Sequence, residues 1–222
     1  MANSPAAASP ARRTPGTSQV AGLVEGWTFT LVVAAAIAAA TVAILAIGGA
    51  RAPAIGLALR VTARTSFALF VAAFTASATH RLWPSRFTRW QRRNRRYLGV
   101  AFAASHAIHG ALIVTLASLA PAQFHDHTRM TNPIPGTIGY ALILAMAVTS
   151  FDRPAAWLGR RRWNVLHTVG AFYLWGVFLV SFVGRALRMP GYWLPVGLAV
   201  TAMALRVVAW RSGRRTPATG RR

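Results

Sequence analysis

The sequence has no cysteine, no lysine and only three acidic residues, Glu25, Asp126 and Asp152, in 222 positions. Without cysteine there is no disulfide framework, no zinc–thiolate site and no iron–sulfur cluster. The three carboxylates all fall at or beyond the ends of apolar stretches. A divalent-metal transporter or a proton pump usually carries Asp or Glu inside its spans, so those classes are disfavoured. A glycine-rich turn after a strand, the mark of a flavin or nucleotide site, is also missing. Every one of the 25 basic residues is arginine, and the formal net charge is +22. Such a charge suggests nucleic acid. The placement argues against that partner, because the arginines bracket long apolar segments instead of lining one soluble face.

What the sequence does have is apolar length. Hydrophobic residues make up 55% of the chain, and the mean hydropathy is +0.41. Six apolar segments run over roughly 27–49, 62–80, 97–119, 134–151, 163–184 and 192–210. Most reach the roughly 20 residues that a helix needs to cross a hydrocarbon core of about 30 Å. The second and fourth are short, and Arg60 and Arg64 blur the start of the second. The pattern predicts an all-α integral membrane bundle of about six transmembrane helices over 27–210. Residues 1–26, rich in Ala, Pro, Ser and Thr, read as a disordered tail, and 211–222 as a basic one.

The arginines orient the bundle. Seven lie in HRLWPSRFTRWQRRNRRY between the second and third segments, and four in DRPAAWLGRRRW between the fourth and fifth. Five more follow residue 210, and Arg12 and Arg13 precede the first segment. With six spans all these regions share one side, so both termini are expected in the cytoplasm. Trp27, Trp83, Trp90, Trp157, Trp163, Trp193 and Trp210 fall near span ends, as an interfacial belt requires.

The candidate chemistry rests on histidine. His106 and His109 lie inside the third segment, in SHAIHG, and His167 inside the fifth. His80 marks the inner end of the second segment, and His125 and His127 belong to an outer loop, QFHDHTRM. An imidazole in hydrocarbon needs a partner, so an intramembrane histidine is a functional-site hypothesis. The alternative is a histidine that hydrogen-bonds across helices as structural glue. Neutral imidazoles facing the interior of a helical bundle suit haem iron. Gly99, Ala103 and Gly110 recur around the pair at helical spacing, and Gly170 lies one turn from His167, which leaves room for a macrocycle. The arginine-rich loops offer partners for propionates.

Two stretches resemble a known family. RRYLG (95–99), followed by an apolar run to His109, is similar to a segment of the ferric reductase-like transmembrane domain family. TSFDRPAAWLGRRRWNVLHTVGAFYLW (149–175) and RTSFALFVAAFTAS (64–77) also resemble that family, within it most of all the haem-binding membrane subunit of bacterial periplasmic methionine sulfoxide reductase systems. The resemblance covers roughly 62–184. It implies a b-type haem protein of the bacterial inner membrane, with one or two haems, moving electrons across or within the membrane. By position it makes His109 and His167 axial ligands and Arg95 a basic residue assisting the inner haem. That subunit has a second histidine thirteen residues after the first in its fifth helix; here the position is Val180, and His106 is additional to the pattern.

At 1.5 Å per residue, His109 stands about 20 Å along its helix from Arg96, and His167 about 7 Å from Arg162. Three arrangements stay open: a His106–His167 pair, a tilted His109–His167 pair, or two haems whose second ligands are not histidine or are absent. With no nicotinamide or flavin domain, electrons would come from quinol or a separate reductase and leave to a partner, such as a periplasmic redox protein. The rival reading is a non-redox membrane protein, a small transporter or scaffold subunit.

Overall fold

The computed structural model describes residues 25–49, 51–128 and 133–214. The tails expected at 1–26 and 211–222 lie outside these residues, apart from 25–26 and 211–214. Among the described residues there is no strand. The helices are α1 Gly26–Gly48, α2 Ala52–Leu82, α3 Arg86–Arg93, α4 Arg95–Leu119 and α5 Pro121–Thr128. They continue as α6 Pro133–Val148, α7 Asp152–Leu158, α8 Arg160–Ala186 and, after a 3-10 turn Pro190–Tyr192, α9 Trp193–Arg214. Five are long and apolar enough to cross a membrane, and α6 with α7 forms a sixth apolar stretch broken by a 106° bend. The all-α, multi-pass membrane architecture read from the sequence is therefore present. A bilayer offers backbone groups no water, so each crossing must satisfy its own hydrogen bonds, as a helix does.

The sequence reading missed three local features. The second apolar segment begins at Ala52, ten residues earlier than 62. Arg60 and Arg64 lower its hydropathy but lie on the exposed face, so the helix runs through them. Pro53 sits in the first turn, where a missing N–H does no harm. The fourth segment does not run straight to 151, because the chain turns at Thr149–Ser150–Phe151 into α7. The outer stretch with His125 forms a helix, α5, opened by Pro121, rather than a loop. The His127 side chain lies outside what the structure describes.

α2 and α4 form the most extensive helix pair, and small polar residues let them approach. Ser66 Oγ and Ser105 Oγ meet at 2.8 Å, both fully buried. Rings of Phe67, Phe70, Phe74, Phe102 and Phe182, with Phe178 against them, fill the centre between α2, α4 and α8.

The arginine-rich connections gather at one end of the bundle. Ser85 caps α3 reciprocally with Thr88, at 3.1 and 2.9 Å. Gln91 then anchors α3 to α2, donating to the Ala72 carbonyl at 2.8 Å and accepting from the Thr79 hydroxyl at 2.9 Å. At the same end Gly26 N–H donates to Asn94 Oδ1 (2.9 Å), and Arg81 donates to the Ala209 carbonyl near the end of α9 (3.1 Å). Trp83, Trp157, Trp193 and Trp210 are all more than half exposed, as interfacial rings should be.

Candidate functional site

The backbones of α4 and α8 stay apart, joined deeper in the bundle by Phe102 and His106 against Phe178, and a cavity of about 410 Å³ lies between them. That is within the size range of small-molecule sites, roughly 300–1,000 Å³. Its deep wall is apolar: Phe70 and Phe74 from α2, Phe102 from α4, Ile143 and Met146 from α6, and Leu174 from α8. Gly99, Ala103, Ala147 and Ala171 keep the space open, since none carries a side chain beyond Cβ. The rim is cationic: Arg92 and Arg93 from α3, and Arg95 and Arg96 from the first turn of α4. His167 and Trp163 of α8 complete it, their rings stacked 4.0 Å apart.

The described carboxylates neutralise only half of this rim, and Asp152 is itself part of the lining. Glu25 binds Arg93 and Asp152 binds Arg96, each at 2.8 Å. Arg96 still has a buried Nε with no partner. The rim is thus built for an anion and the body for an apolar group.

The sequence-predicted histidines split into two places. His167 and Arg95 meet at the cavity. His106 and His109 lie deeper along α4, toward the opposite end, with ring centroids 5.3 Å apart and near parallel. The Tyr140 ring stands 4.9 Å from His106. His106 also packs 5.9 Å from Phe178 on α8. His167 is eleven residues earlier on that helix, roughly 16 Å down its axis. Two axial ligands must meet at one iron, so neither the His106–His167 nor the His109–His167 pair forms in this arrangement. Val180 is 73% exposed on the outer face of α8, so this position does not face the α4 histidines.

Each end of the bundle uses the same device to hold an imidazole. Thr62 donates its one hydroxyl proton to the Ala58 carbonyl at 2.8 Å, so its oxygen accepts from His109 Nδ1, 3.0 Å away. Thr149 likewise donates to the Ala145 carbonyl at 2.7 Å and accepts from His167 Nε2 at 3.1 Å. In the tautomer that fits this network, the bonded nitrogen carries the N–H and the other nitrogen keeps a lone pair. A metal-ligating imidazole is oriented in just this way, by a fixed N–H on its far side. His106 differs: its Nδ1 is buried with no partner. His80 lies 3.5 Å from the Thr88 hydroxyl, at the rim of α3, and does not line the cavity. Among the described residues no three His, Cys, Asp or Glu side chains come together as a metal-ion cluster.

One residue escaped the sequence reading altogether. Arg206 lies inside the sixth apolar segment, on α9. It donates to the Phe74 carbonyl at 2.8 Å, and its guanidinium sits over the rings of Phe74 (4.2 Å) and Phe172 (4.8 Å). The available signal was its position, a charge within a span. Compared with family models, curated proteins and solved structures, the chain matches none.

Proposed function

We propose that this chain is a ferric reductase-like electron-transfer protein that binds b-type haem in the cavity between α4 and α8. The observation that carries this reading is one rim that combines an oriented imidazole, His167, with four arginines over an apolar, small-residue slot. A haem is a planar apolar body with two anionic propionates, and these residues suit both halves. The unpartnered Arg96 Nε is a donor waiting for an acceptor.

In this reading His167 would hold the iron through Nδ1, the nitrogen that Thr149 does not engage, while Thr149 fixes the ring at Nε2. Arg92 and Arg95, which no described carboxylate neutralises, would hold the propionates with Arg96. Phe70, Phe74 and Phe102 exclude water from the buried edge. The Met146 thioether is a second atom of a type that ligates haem iron in the same lining. When bound, the group supplies a site that takes up and gives back one electron; the chain supplies ligand, dielectric and charge. The donor is quinol or a separate reductase and the acceptor a partner on the far side. The arginine-rich end, with both termini, faces the cytoplasm of a bacterial inner membrane.

The second reading, a non-redox membrane protein, is favoured by one observation. The Thr62–His109 bond ties α4 to α2 and the Thr149–His167 bond ties α8 to the end of α6, which is what helix glue does. The two readings separate on the purified protein. Expressed with ample haem, the wild type shows a Soret band and a pyridine haemochrome of b type, H167A loses it, and H109A keeps it. No Soret band in the wild type favours the second reading, and an unchanged spectrum in H167A rejects the site.

A further inference from the structure

We infer that Arg206 is an electrostatic positioning residue that raises the reduction potential of the group in the cavity. The inference rests on the haem reading above and adds a residue to it that no resemblance suggested.

Arg206 lies within the apolar part of α9, four residues or about 6 Å inside the interfacial Trp210. A cation at that depth is expensive unless something holds it. Here Phe74 and Phe172 present their ring faces, the negative side of the aromatic quadrupole, and the Phe74 carbonyl takes a hydrogen bond. None of these partners carries a full negative charge. Both described carboxylates that form ion pairs, Glu25 and Asp152, are bound to other arginines. The Arg206 charge is therefore solvated but not neutralised.

Its position gives that charge a use. Phe74 is a wall of the cavity, so the guanidinium stands one ring behind the lining. Arg95, on the rim, is close enough to interact electrostatically with Arg206. The two cations thus bear on the cavity from different helices, and only Arg95 is on its surface. Uptake of one electron makes the contents of the cavity more negative by one unit. A fixed positive charge nearby, across a water-excluding wall, favours that state. Because Arg206 does not line the cavity, its effect is on potential more than on binding.

The test is a potentiometric titration of the full-length, haem-loaded protein in detergent, with redox mediators and dithionite as the one-electron source. Haem per chain is measured alongside. R206Q keeps a donor for the Phe74 carbonyl and removes the charge; R206K keeps the charge and removes the planar stacking. R206Q should retain its haem and show about a tenfold lower reduced-to-oxidised ratio at fixed ambient potential, which is 59 mV for one electron. R206K should stay near the wild type. Equal potentials in all three proteins overturn the inference, as does loss of haem from R206K and R206Q alike, which is a packing role. R206M is a second neutral variant should R206Q not accumulate. Accumulation of R206K with neither neutral variant assigns the charge to folding and also overturns it. A wild type that takes up no haem overturns the haem reading itself, a result distinct from any of these.

Discussion

Replacing Thr149 with valine tests whether His167 is an oriented ligand or merely helix glue. Valine keeps the branched shape and deletes the oxygen that accepts from His167 Nε2 at 3.1 Å. As glue, the bond is worth little: hydrogen bonds between membrane helices average about 0.6 kcal/mol and reach about 1.7. As a partner that fixes a ligand, it is worth more, since losing such a partner typically weakens binding about 10–100-fold. That is about 1.4–2.8 kcal/mol. The two roles therefore predict different things for one variant. T149V should melt within a few degrees of the wild type by circular dichroism, yet bind added haemin at least about tenfold more weakly when followed by Soret absorbance. T149S should restore the affinity. T62V, which strips the same bond from His109, should lose a similar small stability and no haem affinity. Equal haem affinity in T149V and wild type, or an equal loss in T62V, refutes the reasoning.

Other substitutions probe the frame. Gln91→Leu removes the hydrogen bonds that tie α3 to α2 at the Ala72 carbonyl and the Thr79 hydroxyl; Thr79 keeps the Thr75 and Ala76 carbonyls as acceptors, so the variant should destabilise by about 0.5–1.5 kcal/mol in a denaturant titration in mixed micelles. A Cβ on Gly48 would collide with the Ala54 side chain in the α1–α2 turn, so Gly48→Leu should lower the melting temperature through overpacking of about 1–3 kcal/mol. Tyr140→Phe removes only a 3.4 Å contact to the His106 carbonyl and should leave both stability and haem content within error, about 0.5 kcal/mol.

The spans were legible because hydropathy over 20 residues reports directly on what a bilayer accepts. The pattern failed where single charges misled it: Arg60 and Arg64 hid ten residues of α2 although both point outward. His106, His109 and His167 could be singled out by their positions inside apolar segments, as costly imidazoles. Their partners could not. Thr62 is 47 residues from His109 and Thr149 is 18 from His167, so each bond depends on helix register that no spacing rule encodes. Helix rise left both the His106–His167 and the His109–His167 pair open; in the fold the α8 neighbour of His106 is Phe178, eleven residues beyond His167. Arg206 went unused because a lone charge in an apolar run carries no partner in the sequence; the two phenylalanines that hold it come from α2 and α8.

The bend after Val148 has a consequence for the surrounding lipid. α6 has 16 residues, so it is about 24 Å long, some 6 Å short of a typical hydrocarbon core. The other crossings are longer, so the shortfall is local to α6, one of the four helices that form the deep wall of the cavity. Lipid beside α6 must thin to meet it, at a fraction of a kcal/mol per Å. Headgroups and water are drawn toward the cavity on that side alone. Acyl-chain length thereby becomes a control on how deeply the arginine rim is immersed, and short-chain bilayers should suit this protein better than thick ones.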